Sequence, residues 1–544
     1  MKKVKLKNSI LILVLVGILF ATFSFKSNFF EVAKQIEIYT TLFKELNMYY
    51  ISEINPAEFT NKAIRNTLKE LDPYTNFYNE QEVESAKINR EGSYVGIGVS
   101  VYYIKSGIEI SSIQKGLAAD KAGIRIGDII VSVENQSLKN MESAQLSLFL
   151  KGVPGSKILL ELDRQGVLLK KEVTLSKIVV NAVPFAEMID EETGYIVLTQ
   201  FNDKASLQVK KAYKKLKKEG MTKLIFDLRD NPGGSLLESI RISNFFLPKG
   251  KKIVSTKAKI KKWSNLYKSK NTPLDLEIPI VVLINERSAS ASEIVAGALQ
   301  DYDRAVIMGK RSFGKGLVQR YRELTYGTQL KLTISKYYTP SGRCIQELDY
   351  ENRNVRTGEV PKFSDTGIHA FKTENGRTVY DGGGIMPDIE TKTSVANAST
   401  SALLKTKAIF NFATHYFYEN LTTSSLVDFN FKNLNFYKFT NYLKRDTTFV
   451  TVQESLFEKA FSTSKIADIL KAYPKIKEHL CEAKIMAISK NKELILVRIK
   501  SEIMTRFFYS EGAYKFRLKN DRMISDAFAL LENKDIYSNV LLKN

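Results

Sequence analysis

From Phe30 to Leu71 the apolar residues recur at helical spacing, as in Ile38, Leu42 and Leu46 and again in Ala63, Ile64, Leu68 and Leu71, until Asp72-Pro73 stops the run. The pattern predicts a few helices. Between Glu84 and Gly166 it changes to short β-type runs, Val95–Tyr103, Ile108–Ile113, Ile129–Val133 and Ile158–Leu162, with one helical stretch near Ser143–Leu150. From Lys171 to about Ser394, apolar strands such as Leu224–Leu228, Ile280–Asn285 and Arg304–Met308 alternate with helical stretches, which predicts α/β layering. Beyond Ser401 the chain turns Lys- and aromatic-rich with helical periodicity, notably over Cys481–Phe508 and Asp521–Leu531, predicting a mostly helical terminal module.

The amino terminus reads differently. Lys2, Lys3, Lys5 and Lys7 precede the uncharged run Ser9–Phe25, whose 17 residues would reach about 26 Å as a helix, just enough to cross a hydrocarbon core. Bulky Phe23 and Phe25 leave no small-x-small cleavage site, so the expectation is an uncleaved signal-anchor. The chain after Lys26 would then lie on the far side of a cell membrane, in the periplasm or outside the cell.

The 544 residues allow three to four domains by length, and five segments are expected: 1–26 (basic flank and transmembrane anchor), 27–83 (helical), 84–170, 171–397 and 398–544. Lys and Arg number 81 against 59 Asp and Glu, a formal charge of +22. That excess is spread along the chain with no concentrated patch, so no nucleic acid is expected as partner. His369, His415 and His479 have no second His or Cys at ligand spacing, so neither a metal nor another cofactor is expected. Cys344 and Cys481 are far apart, and two buried free thiols is the plainer reading of them.

Three segments carry candidate chemistry. The strand before Asn285 runs into ERSASASEIVAGALQ, a strand-to-helix corner that presents a side chain beside free backbone N–H groups, though Ser290-x-x-Glu293 also reads as a plain capping box. GKRSFGKG (Gly309–Gly316) nearly spells a phosphate loop, but Gly316 stands where a magnesium-binding hydroxyl belongs, and Asp227 precedes the loop instead of following it. Ser312-x-x-Lys315 copies a penicillin-enzyme motif, against which Gly314 and Gly316 argue by breaking the helix it needs. In the third reading Lys315, made a base by burial, activates Ser290. The strand ending in DLRDNPGG (Asp227–Gly234) could point backbone N–H groups at a developing oxyanion, or be an ordinary turn.

Taken together these residues resemble the C-terminal processing peptidases, or tail-specific proteases, a family of Ser-Lys serine endopeptidases with a PDZ domain. The likeness covers about residues 35–397 and includes, in order, LDPYTNFY (Leu71–Tyr78), GYIVLTQF (Gly194–Phe201), KYYTPSGRCIQ (Lys336–Gln346) and GGIMPDI (Gly383–Ile389). It implies Ser290 as nucleophile, Lys315 as general base and Gln319 as the residue orienting that lysine. The oxyanion hole would come from the N–H of Ala291 and that of Gly233 or Gly234. Residues 84–170 resemble a PDZ domain, a small β-barrel with helices, whose carboxylate loop would be Val95, Gly96, Ile97, Gly98 and Val99. A β-hairpin with flexible glycines is the plain alternative there. The implied fold is multidomain α/β: an N-terminal membrane anchor and helices, the PDZ domain, a protease core of crotonase/Clp-like fold, and the helical C-terminal module. The implied partners are polypeptides with exposed C-terminal tails, with an adaptor protein or a homo-oligomer as further options. A membrane-anchored, catalytically inactive PDZ scaffold is the competing function. The stretch from Glu347 to Asp381 is longer and more polar than the family's short turn.

Overall fold

The computed structural model describes residues 29–542 apart from 147, 392–395, 422–425, 427–428 and 463–466. Two compact units divide it, residues up to Phe77 and residues from Tyr78 onward. In the first, a helix over residues 29–49 is followed by the helix Pro56–Lys69, whose N-cap Asn55 accepts from Ala57 N and Glu58 N.

The centre of the second unit is a six-stranded sheet in the order Phe185–Met188, Thr193–Val197, Lys223–Asp227, Ile280–Ile284, Val306–Gly309 and Ile389–Glu390. The first pair is antiparallel and every later pair is parallel. Successive side chains of a strand face opposite ways, so Ile280, Val282 and Ile284 join the core under the helices Ala205–Lys218, Leu236–Ser243 and Ala291–Asp301. Val281 and Leu283 join a second core with Met523, Ile524, Ala527, Leu530 and Leu531 from beyond residue 521. An unbroken apolar strand is what a sheet covered on both faces requires.

Residues 99–174 hold a separate sheet, ordered Val99–Ile104, Gly107–Ile113, Ile129–Val133, Lys157–Arg164 and Val167–Thr174, around its own apolar core. Beyond Ser401 the expected helices are present. The stretch expected as one helix from Cys481 is broken at residues 490–491, where Asn491 accepts from Asn397 N and Thr400 Oγ1. Cys344 and Cys481 are both free, and both are partly exposed rather than buried.

Two expectations are corrected. The core is a protease-like α/β domain in which each parallel step goes to the neighbouring strand. One face carries its crossover helices and the other the C-terminal helices, an order that does not support a crotonase/Clp-like topology. The export signal, the single-pass anchor and the membrane, periplasmic or external location built on them are also withdrawn. No helix among the described residues is long and apolar enough to cross a membrane, and residues 9–25 lie outside the described residues. The helix over residues 29–49 carries Glu31, Lys34, Glu37, Lys44 and Glu45, charges a spanning segment would not hold.

Candidate active site

Three parallel strands end on the same side of the sheet, at Asp227, Ile284 and Gly309, and the loops after them make the site, as is usual for ligands of open α/β sheets. Two of the three serines in SASAS are spent on backbone. Ser288 Oγ donates to Leu228 O at 2.8 Å and Ser292 Oγ to Asn231 O at 2.9 Å, both serines being fully buried. Ser290, between them, is half-buried and lines a cleft of about 530 Å³. Its φ of 55° is one that residues with a side chain seldom adopt. The turn is held by Ser290 N donating to Glu293 Oε2 at 2.7 Å and Tyr337 Oη donating to Ser290 O at 3.1 Å.

Glu293 does more than cap its helix. Its fully buried carboxylate also accepts from Ser312 Oγ at 2.6 Å, Gly314 N at 2.7 Å and Lys315 N at 3.0 Å. Burial pushes its carboxyl up, opposed by these donors. One side chain thus fixes both the Ser290 turn and the Lys315 loop. Sequence reasoning missed this because Ser-x-x-Glu already had an explanation as a cap.

Ser290, Ala291, Gly233, Gly234, Lys315 and Gln319 all line the one cleft. Lys315 is half-buried, and its neighbour Gly316 permits a close approach: a Cβ there would stand 2.8 Å from Gln346 N. The Gln319 amide donates to Thr333 Oγ1 at 3.2 Å across the strand pair Leu317–Glu323 and Gln329–Tyr338. A strand, not a helix, follows Lys315, and Asp227 is taken up by Arg229 and Tyr195, so a phosphate loop does not form. Ser312 is buried, donating to Glu293 and accepting from Ile385 N, and shares no helical turn with Lys315.

The structure distinguishes the two glycines of NPGG. Gly233 N donates to Asn231 Oδ1 at 2.9 Å, whereas the N–H groups of Gly234 and Ala291 have no acceptor among the described residues. Gly233 has φ 96°, and a Cβ on it would lie 2.6 Å from Ala289 O, so the turn packs directly on the Ser290 turn. Asn231 O completes the junction by accepting from Ala289 N at 3.0 Å.

The five expected carboxylate-loop residues lie apart from this cleft. Val95 and Gly96 end the strand Ser93–Gly96, Ile97 is buried in the apolar core, Gly98 has φ 83°, and Val99 begins the strand Val99–Ile104 at the end of its sheet. Ala119 N donates to Ile97 O and Gln114 N to Gly98 O, both at 2.9 Å, which fixes the loop's shape.

Comparison with known proteins finds three family models that match parts of the chain. Residues 192–351 match the model of peptidase family S41, residues 85–163 that of the PDZ domain, and residues 399–531 that described as "Probable PDZ-protease, C-terminal helical domain". A "Probable CtpA-like serine protease" of Staphylococcus aureus (strain MRSA252) is 34% identical over 307 residues, 56% of this chain and 61% of that one. One of the same description from Staphylococcus saprophyticus is 33% identical over 320 residues, 58% of this chain and 63% of its own. The chain therefore spans 61–63% of the length of these curated relatives. The solved photosystem II D1 C-terminal processing protease aligns with 65% of this chain and 86% of its own, at 25% identity and a TM-score of 0.36. In this order the chain carries segments similar to the PDZ domain, to peptidase family S41 and to that C-terminal helical domain. Over the matched residues the chain is similar to the CtpA-like serine proteases of the staphylococci.

Proposed function

We propose that the protein is a serine endopeptidase that takes exposed C-terminal tails of polypeptides through its PDZ domain and cleaves them with Ser290. The observation that carries this reading is the shared carboxylate of Glu293, which holds the Ser290 turn and the Lys315 loop on one cleft. Lys315, as the neutral amine, takes the Ser290 hydroxyl proton while Oγ attacks the peptide carbonyl carbon. The N–H groups of Gly234 and Ala291 stabilise the oxyanion that forms. When the intermediate collapses, the C–N bond breaks and the Lys315 ammonium gives its proton to the leaving amine. Water then enters by the same route and releases the acyl group. Gln319, on the strand that follows the lysine, orients it across the cleft.

Ser290→Ala and Lys315→Ala are each expected to abolish cleavage of an unfolded polypeptide with circular dichroism unchanged, and the double variant to lose no more than either single one. The wild-type rate is expected to rise with pH through the neutral-to-alkaline range, because the base must be unprotonated. Activity within about tenfold of wild type in either variant would remove the dyad, and a wild type that binds tails without cutting them would favour the scaffold function.

A further inference from the structure

Asp521 joins the helices Lys492–Asn520 and Arg522–Glu532 of the C-terminal module. One of its oxygens caps the second helix, Oδ1 accepting from Met523 N at 2.9 Å. The other leaves the module, Oδ2 accepting from Arg229 Nη1 at 2.7 Å. Arg229 is the second residue after the strand Lys223–Asp227, at the root of the NPGG turn. Its remaining edge is fixed as well, Nη2 donating to Asp227 Oδ2 at 2.7 Å and the backbone N to Asp227 Oδ1 at 2.9 Å. Tyr195 Oη donates to the same Asp227 Oδ2 at 2.6 Å. The Arg229, Asp227 and Asp521 side chains are 10%, 2% and 20% exposed, so the group is largely withdrawn from water.

We propose that Asp521 is a positioning residue for the active site, setting the turn of residues 229–234 through Arg229 and so aiming the Gly234 N–H at the reacting carbonyl. The inference rests on the peptidase reading above and extends it to the C-terminal module. Adhesion of the module to the sheet is already supplied by Met523, Ile524, Ala527, Leu530 and Leu531, which fill the sheet's second face. A largely buried ion pair is weak grounds for stability; what this one adds is a fixed direction for the guanidinium at the root of the turn. The direction imposed here reaches the chemistry in two steps. Arg229 anchors one end of the turn, and Asn231, two residues on, holds Ala289 and Ser292 on either side of Ser290 by its carbonyl oxygen. Loss of Asp521 frees the outer edge of the guanidinium and loosens the turn from the side opposite the cleft.

Asp521→Ser and Asp521→Asn test this, because both residues still cap the second helix while neither carries the charge that holds Arg229. On the full chain with a peptide substrate, each is expected to lower kcat by about tenfold to a hundredfold with KM held within about twofold, because the loss falls on the transition state. A peptide aldehyde, whose adduct with Ser290 places its oxygen in the oxyanion position, is expected to lose affinity in parallel with kcat. Asp526→Asn, an exposed site on the same helix, is expected to change neither. Unchanged kcat in both variants would overturn the proposal. So would a loss in kcat that vanishes well below the melting temperature, or failure of both variants to fold, since either outcome makes Asp521 a purely structural residue. If the wild type does not cleave, or Ser290→Ala cleaves as fast, the peptidase reading falls and takes this inference with it. Normal dependence on Ser290 with unaffected variants overturns this inference alone.

Discussion

Glu293 serves four donors from two loops with two oxygens. Glu293→Gln keeps the shape but turns an NH₂ toward two of the four donors. Each buried donor left without an acceptor costs about 1–3 kcal/mol, so a clear fall in melting temperature is expected. Because the same donors set the Ser290 turn and the Lys315 loop, kcat is expected to fall by about a hundredfold, the scale associated with small misplacements of reacting groups. A variant that melts early yet keeps kcat within about threefold would show that the clamp is not what aligns the pair. At this scale the candidate pair was readable where the signal is local: Ser290 and Lys315 stand out as candidates by their serine and glycine neighbours. Which of Gly233 and Gly234 has its N–H taken up within the turn was not readable, because that depends on where Asn231 Oδ1 points. Glu293 was visible only as a cap, since its other donors lie 19 to 22 positions away.

Among the elements, the strand Ile280–Ile284 was legible as buried from its composition, and its cover on one face by the crossover helices follows from the α/β pattern. What covers its other face was not legible. The helices after residue 521 are remote in sequence, and the Arg229 to Asp521 contact joins positions 292 apart. The approach to this strand also depends on a charge. Asp275 accepts from Tyr213 Oη of the helix Ala205–Lys218 at 2.7 Å and from Glu277 N and Ile278 N at 2.9 Å, with Lys217 Nζ 3.3 Å away. Burial alone would raise its pKa, but these partners outweigh it and hold the carboxyl at about 2, below the reference of 3.8. A depressed carboxyl contributes stability that is present above its unfolded pKa and lost as pH falls through the folded one. Asp275→Asn is therefore expected to destabilise the protein most at pH 5–6, the gap to wild type closing as pH drops from about 4 toward about 2. Urea midpoints of the two proteins across that range give the test, and a gap constant with pH would sink it.

Over the whole second unit, the C-terminal module grips the PDZ-like segment as well as the peptidase-like core. Phe410 enters the PDZ core and packs edge-on against Tyr102 at 5.5 Å, Lys407 pairs with Glu109, and Tyr509 Oη donates to Asp120 Oδ1 at 2.5 Å. Tyr509 reaches Asp120 from a break in its helix, where its own φ is 58°. These contacts fix the position of the domain, while among the described residues the strand Val99–Ile104 pairs on one edge only, with Gly107–Ile113. An extended peptide can add to an open edge of this kind, its terminal carboxylate reaching the loop around Gly98. The full-length Ser290→Ala chain is therefore expected to bind a peptide with an apolar last residue and a free carboxylate at least roughly tenfold more tightly than the same peptide amidated, because charge-assisted hydrogen bonds are worth about 1.5–3 kcal/mol each. Gly98→Val is expected to do similar damage. Its φ is 83°, and a Cβ there would stand 2.7 Å from the Leu117 side chain, so the loop cannot keep its shape. In the active chain, Gly98→Val is then expected to slow cleavage of tailed proteins more than that of short peptides delivered straight to Ser290. Calorimetry on the free and amidated peptides decides the matter: equal affinities would mean that the PDZ domain does not read tails, and that substrate choice lies in the cleft itself.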